Sequence, residues 1–229
     1  MADIKLNIET RRYKLRGLTP ILGGQPADPA VRTQYISSRA PSPALGAEED
    51  ELLGGIEEKG LTVFMRDEDN RLLLMDYMIK GFFKSALGAI KAQVDVAQER
   101  AKVDKFLFIA PRRIPLRRNS AYITDEDDQL ERPLRASTMK GERVALAASE
   151  MVEDPWSLAF EVTLLPNNAT AKSKALTWDV VEMALDYGRY CGLGQWRNGG
   201  YGRFVWKRIE DKADDRKRHS RPWRTSSTI

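Results

Sequence analysis

Residues 191–204, CGLGQWRNGGYGRF, place glycines beside aromatic rings and guanidinium groups. Gly192, Gly194, Gly199, Gly200 and Gly202 fall within eleven residues, interleaved with Trp196, Arg197, Tyr201 and Arg203. Glycine permits positive φ and close backbone approach. Several together let consecutive N–H groups point into one concavity, a nest for anionic oxygens. Arg197 and Arg203 would add charge-assisted bonds to phosphate, and Trp196 or Tyr201 would stack on bases. A tight helix-to-strand turn spends glycines too, to cap Cys191 and relieve crowding. The residue types therefore offer anion and nucleobase binding, set against a plain turn.

More cations gather elsewhere. RRIPLRR (112–118) sets Arg112, Arg113, Arg117 and Arg118 around an Ile-Pro-Leu centre. RPLRASTMKGER (132–143) adds Arg132, Arg135, Lys140 and Arg143, with Met139 as an apolar wedge. RRYKLR (11–16) is a third cluster. Lys80 stands where a helix begins, beside N–H groups that favour phosphate, and Lys84 lies one turn on. Such runs are also ordinary solvated surface. Acids collect separately, in DEDD (125–128) for example, and the net charge is only +4. Where the charges sit matters more than their sum.

Several chemistries find no residues to carry them. One cysteine, Cys191, builds no disulfide and no cysteine zinc site within a chain. The one histidine, His219, lies in a polar stretch and is a poor general base. No phosphate-loop or zinc spacing occurs. Four adjacent acids at 125–128 rarely converge on a metal. No cofactor is expected. The N-terminus lacks the apolar stretch of a leader, and no run of apolar residues is long enough to span a bilayer. A cytoplasmic protein with no membrane partner is the expectation.

The elements that must position these residues follow from periodicity. Residues 4–22 alternate as one long or interrupted strand, and 61–75 as two short strands about a turn at Asp69-Asn70. Phe83, Leu87, Ile90, Val94 and Ala97 recur at helical spacing, which predicts one helix over 79–101. KFLFIA (105–110) and SLAFEVTLL (157–165) read as strands. Residues 177–191 read as a helix with Thr177 as N-cap, and 202–209 as a strand. The stretches 25–60 and 111–140 read as inserted loops on a single domain over 1–210, and 211–229 as a flexible basic tail. Without the insertions the order is strand, helix, strand, strand, helix, strand. That is an α+β, ferredoxin-like (RRM-like) βαββαβ core with an antiparallel sheet and two helices on one face. RNA-recognition domains use the other face of such a sheet.

Gly192-Leu193-Gly194, five residues, then Gly200-Tyr201-Gly202 resembles the glycine-rich loop of the RAMP superfamily of CRISPR-associated RNA-binding proteins. LTPILGG (18–24), with Gly23-Gly24, is similar to the close of that family's first strand, and Ile79-Lys80-Gly81 to its helix-one pattern, close to IPGSSLKGALR. Met75-Asp76-Tyr77-Met78 departs from the usual Pro-Gly-Ser-Ser. The resemblance implies a backbone subunit. Copies would polymerise along a guide RNA by gripping its phosphates, beside other effector subunits and a complementary target nucleic acid. It also implies a place for an acid in the loop after strand one, where some members cut RNA. Asp28 is the weak candidate here; it would hold Mg²⁺ or orient a 2′-hydroxyl in an endoribonuclease. Asp28 before Pro29 equally suits a turn. A third reading is a structural or phage assembly protein without nucleic acid, in which the glycine loop is a subunit contact.

Overall fold

The computed structural model describes residues 8–28, 60–138, 141–169 and 174–209. The tail at 211–229, and all but the ends of the expected insertion at 25–60, lie outside the described residues, as do Met139 and Lys140.

β1 (Glu9–Gly17) alternates as a half-buried strand should, with Tyr13 and Leu15 inward and Arg12, Lys14 and Arg16 outward. β2 (Ile21–Leu22) and β3 (Gln25–Pro26) follow as short strands, so of the long or interrupted strand expected over 4–22 the structure shows the interrupted form. β4 (Leu61–Val63) comes next. β5 (Met65–Arg66) and β6 (Leu72–Met75) form a hairpin, and Asn70 takes the left-handed conformation in its turn (φ 57°).

The helix expected over 79–101 is broken. α1 (Asp76–Ala89) begins earlier and stops at Ile90; α2 (Lys91–Val94) and α3 (Glu99–Phe106) follow. Asp95 and Gln98 are both left-handed, with φ 52° and 53°, and they end one helix and open the next. Periodicity records which side chains face inward, and Val94 stays buried across the break, so spacing alone ran through it. α3 takes two residues of the strand expected at 105–110, which leaves β7 (Leu107–Ala110).

The stretch expected as a loop at 111–140 is strand-rich. β8 (Arg113–Pro115) joins β6, while β9 (Arg117–Arg118) and β10 (Ala121–Tyr122) form a small hairpin. β11 (Asp128–Thr138) and β12 (Gly141–Val152) pair along their full length. Pairing satisfies backbone groups that a packed loop would leave bare. β13 (Ser157–Leu164), α4 (Trp178–Asp186), α5 (Gly188–Cys191) and β14 (Phe204–Ile209) complete the chain. Thr177 precedes α4 but makes no side-chain cap bond.

The fold is α+β, built of antiparallel sheets with few helices. In the main sheet β1 is central, antiparallel to β13 on one side and β14 on the other. β7 pairs with the outer edge of β13, giving the order β14–β1–β13–β7. α1 and α4 pack on one face, where Phe83, Leu87, Val181 and Leu185 meet Tyr13, Leu15, Phe160 and Val162 in one core. Burying each such side chain stabilises the fold by about 1.5–3 kcal/mol. Tyr13 ties sheet to helix: its hydroxyl donates to Glu182 Oε1 (2.9 Å), which also accepts from Arg11 Nη1 (2.9 Å). A second sheet, β11–β12–β4–β3, is antiparallel except for the β12–β4 pair, and β2 joins it at the end of β12. No helix among the described residues is long and apolar enough to cross a membrane.

Candidate nucleic-acid interface

The glycine stretch runs from the end of α5 to the start of β14 and closes on itself at a neck. Gly192 (φ 68°) and Gly202 (φ 72°) are left-handed, and a Cβ on Gly202 would overlap the Leu193 backbone. That contact carries a hydrogen bond, Leu193 N–H to Gly202 O at 2.8 Å. Several other amides also donate to protein acceptors. Gly202 N–H donates to Pro20 O (2.7 Å) and Gln195 N–H to Leu22 O (3.4 Å). Gly199 and Gly200 donate to Trp196 O and Arg197 O within a 3-10 turn at Arg197–Gly199. Arg203 N–H donates to Thr19 Oγ1 (3.0 Å). These six N–H groups meet protein acceptors and serve the turn itself.

The two aromatic rings serve the fold first. Trp196 and Tyr201 stack on each other (centroids 5.3 Å apart, planes 19°), and the Arg132 guanidinium lies over Trp196 at 4.6 Å. The loop is thereby fixed to β11. Trp196 still keeps 41% of its surface in solvent.

On its other side the loop faces α1 across a cleft of about 450 Å³. Leu193 to Asn198, including Gly194 and Arg197, form one wall; Tyr77, Met78, Gly81 and Phe82 form the other. Leu22, Gly24, Gln25 and Leu74 complete the lining. The glycine loop and helix one, widely separated in sequence, thus meet. Arg197 is held at the loop's base, with Nη1 donating to Cys191 Sγ (3.6 Å).

Lys80 and Lys84 are not brought into this cleft. Lys80 donates to Asp104 O (3.1 Å) and lies over Phe108 at 5.0 Å, while Lys84 pairs with Asp104 Oδ1 (2.5 Å). Desolvation holds Lys80 below the usual lysine range, against the pull of Asp104. Both lysines fasten α1 to α3.

The arginine-rich stretch is matched by acids and by its own turn. Arg112 lies 3.5 Å from Asp76, and Arg113 bonds Glu68 (2.8 Å). Arg117 packs on Tyr122 (3.8 Å to the ring centroid) and donates to its hydroxyl and to Ser120 O. Arg118 grips Asp127 with both nitrogens (2.9 and 2.5 Å). The acids at 125–128 diverge accordingly: Glu126 pairs with Arg66, Asp127 with Arg118, and Asp128 bonds the next amide. Among the described residues no three metal-ligating side chains stand together. Asp28 lies just past β3 and has partners of its own.

Elsewhere, other cations have no acid partner among the described residues. β1 turns Arg12, Lys14 and Arg16 to the face of the sheet away from the helices, and register sets Lys14 opposite Lys207 and Arg16 opposite Val205 of β14. Lys14, Arg16 and Lys207 line a recess of about 480 Å³ with Ser157, walled by the turn at Asn119 and Ser120. None of the three makes an ion pair among the described residues. Arg203, exposed just before β14, accepts from Leu18 N–H at its carbonyl (2.8 Å) and lays its guanidinium against Gly200 of the glycine loop. The one acid in register on this face of β13 is Glu161, opposite Arg12. The density of RRYKLR is plain in the sequence, but density alone does not assign its residues to a face. The signal was the alternation: basic residues at every second position share a face of a strand.

No family model matches this chain, and no curated protein matches it. Among solved structures, a chain of a structure described as a type IV-B CRISPR complex is similar to it, with a TM-score of 0.48 and 9% identity over 96% of each chain.

Proposed function

We propose that this chain is an RNA-binding subunit of a CRISPR-type ribonucleoprotein effector, of the backbone branch of the RAMP superfamily. Copies line up along a guide RNA by holding its phosphates, beside other subunits and a complementary target strand. The strand order β14–β1–β13–β7, with α1 and α4 on one face, supports a ferredoxin-like core beneath that role. The resemblance motifs support the family: the glycine loop lies between α5 and β14, and Ile79-Lys80-Gly81 lies within α1.

The observation that carries the reading is the row of cations on the open sheet face. Lys14, Arg16 and Lys207 have no acid partner among the described residues, whereas each arginine at 112–118 has an acid, ring or carbonyl to bond. Lys14 and Arg16 are two residues apart on a strand, about 6.7 Å along it. Lys207, opposite Lys14 on β14, widens this pair into a strip of positive charge. Such a strip suits a chain of phosphates, and phosphate contacts position a nucleic acid without reading its bases.

Light scattering of the purified full chain, with and without single-stranded RNA, tests this. Assemblies that grow with RNA and collapse on ribonuclease treatment are expected. Assemblies free of nucleic acid and indifferent to ribonuclease would place the chain among protein-only assembly proteins instead.

A further inference from the structure

We propose that the cleft between α1 and the glycine loop holds one unstacked nucleobase bearing an exocyclic amino group, adenine or cytosine, whose amine donates to Gln25 Oε1. The inference rests on the RNA-binding reading and adds to it a base-selective subsite.

Gln25 is the residue that calls for a ligand. It lines the cleft yet is only 1% exposed. Its Nε2 donates to Tyr77 Oη at 3.0 Å, and its Oε1 has no hydrogen-bond partner among the described residues. A buried acceptor left bare costs about 1–3 kcal/mol. A donor arriving in the cleft relieves that cost.

Two glycines point the same way. Among the described residues a Cβ on Gly24 or Gly81 would meet nothing within 4 Å, and neither residue has a left-handed φ. The neck glycines are different, because their conformation and contacts demand glycine. Gly81 lies inside α1, where glycine costs about 1 kcal/mol relative to alanine. Neither backbone nor packing recovers that cost. What both residues share is a place on the wall of the cleft, where side chains would take up its space.

The remaining lining fits a flat heteroaromatic ring. Leu22, Leu74, Met78 and Phe82 offer apolar contact, while Gln25, Gln195 and Asn198 offer polar edges. The volume lies within the ~300–1,000 Å³ of small-ligand sites. A carbonyl acceptor selects the amino group of cytosine or adenine and opposes the carbonyl that uracil presents at the same edge.

Oligo(C) and oligo(U) differ at that edge and share a backbone. Fluorescence anisotropy of the full chain with each labelled oligomer should show oligo(C) bound on the order of tenfold more tightly. Gln25→Met keeps the length and removes the acceptor; the ratio should fall to about one with oligo(U) affinity unchanged. Gly81→Leu fills the cleft and favours the helix. It should erase the preference while the melting temperature stays level or rises. A wild-type ratio near one, a uracil preference, or a preference that survives Gly81→Leu would overturn the subsite and leave the phosphate-binding reading standing. Failure to bind either oligomer would overturn both.

Discussion

Arg132 lies over the ring of Trp196 with its guanidinium carbon 4.6 Å from the centroid, and this contact joins the β11–β12 ribbon to the glycine loop. Its Nε and Nη1 are buried without a hydrogen-bond partner among the described residues, and desolvation pulls its pKa down. The charge is thus costly where it sits, while the flat group packs well.

Those opposed contributions separate by substitution. Arg132→Met keeps the packing and sheds the desolvation cost, so its melting temperature should equal or exceed that of the wild type. Arg132→Ala loses the stack and the aliphatic stem and should cost about 1–2 kcal/mol by denaturant unfolding.

The neck of the loop should be far less tolerant than the cleft wall. Gly202→Ala forces a left-handed alanine, about 1–3 kcal/mol, and adds an overlap with the Leu193 backbone. Gly24→Ala meets open space and should unfold like the wild type. Urea unfolding of the two variants checks the contrast.

Asp127 supplies a pH-dependent share of stability. The bonds from Arg118, over the opposing desolvation, hold its carboxyl below the ordinary aspartate value of about 3.9. A depressed carboxyl stabilises the fold above its unfolded pKa, and this contribution fades as the pH drops through the folded one. Both side chains keep about a third of their surface in water, 32% and 30%, so the share is below about 1 kcal/mol. Asp127→Asn should lower stability at neutral pH by that amount and flatten the acid limb of a stability–pH curve.

How much of this was legible in the sequence varies by residue. The strands carrying Tyr13, Leu15 and Phe160 were readable because alternation maps directly onto a half-buried sheet. The break at Ile90 was hidden, since Val94 keeps its inward place across it. Within 111–140, β8 is hidden because its pairing joins residues remote in sequence, as Leu74 does with Ile114, whereas the β9–β10 and β11–β12 hairpins are local and are masked by the density of charge. Within the candidate site, the glycines announced a special turn. Composition could not tell whether its amides face a ligand or Pro20, Leu22 and Thr19. Charge density at Arg112–Arg118 gave no sign of the partners Glu68, Asp76 and Asp127, which the fold supplies. The orphaned Gln25 left no sequence signal, because a lone glutamine looks the same buried or exposed.

The row of Lys14, Arg16 and Lys207 is tested most directly by the salt dependence of RNA binding. For single strands the logarithm of affinity falls with that of salt by about 0.7 per phosphate held. Wild-type protein should show a steep slope. The combined Lys14→Gln, Arg16→Gln and Lys207→Gln variant should lose about 2 from it at unchanged melting temperature. An Arg113→Gln control, lacking a cation already matched by Glu68, should keep the wild-type slope. An unaltered slope and affinity in the triple variant would contradict a phosphate-binding role for the open sheet face.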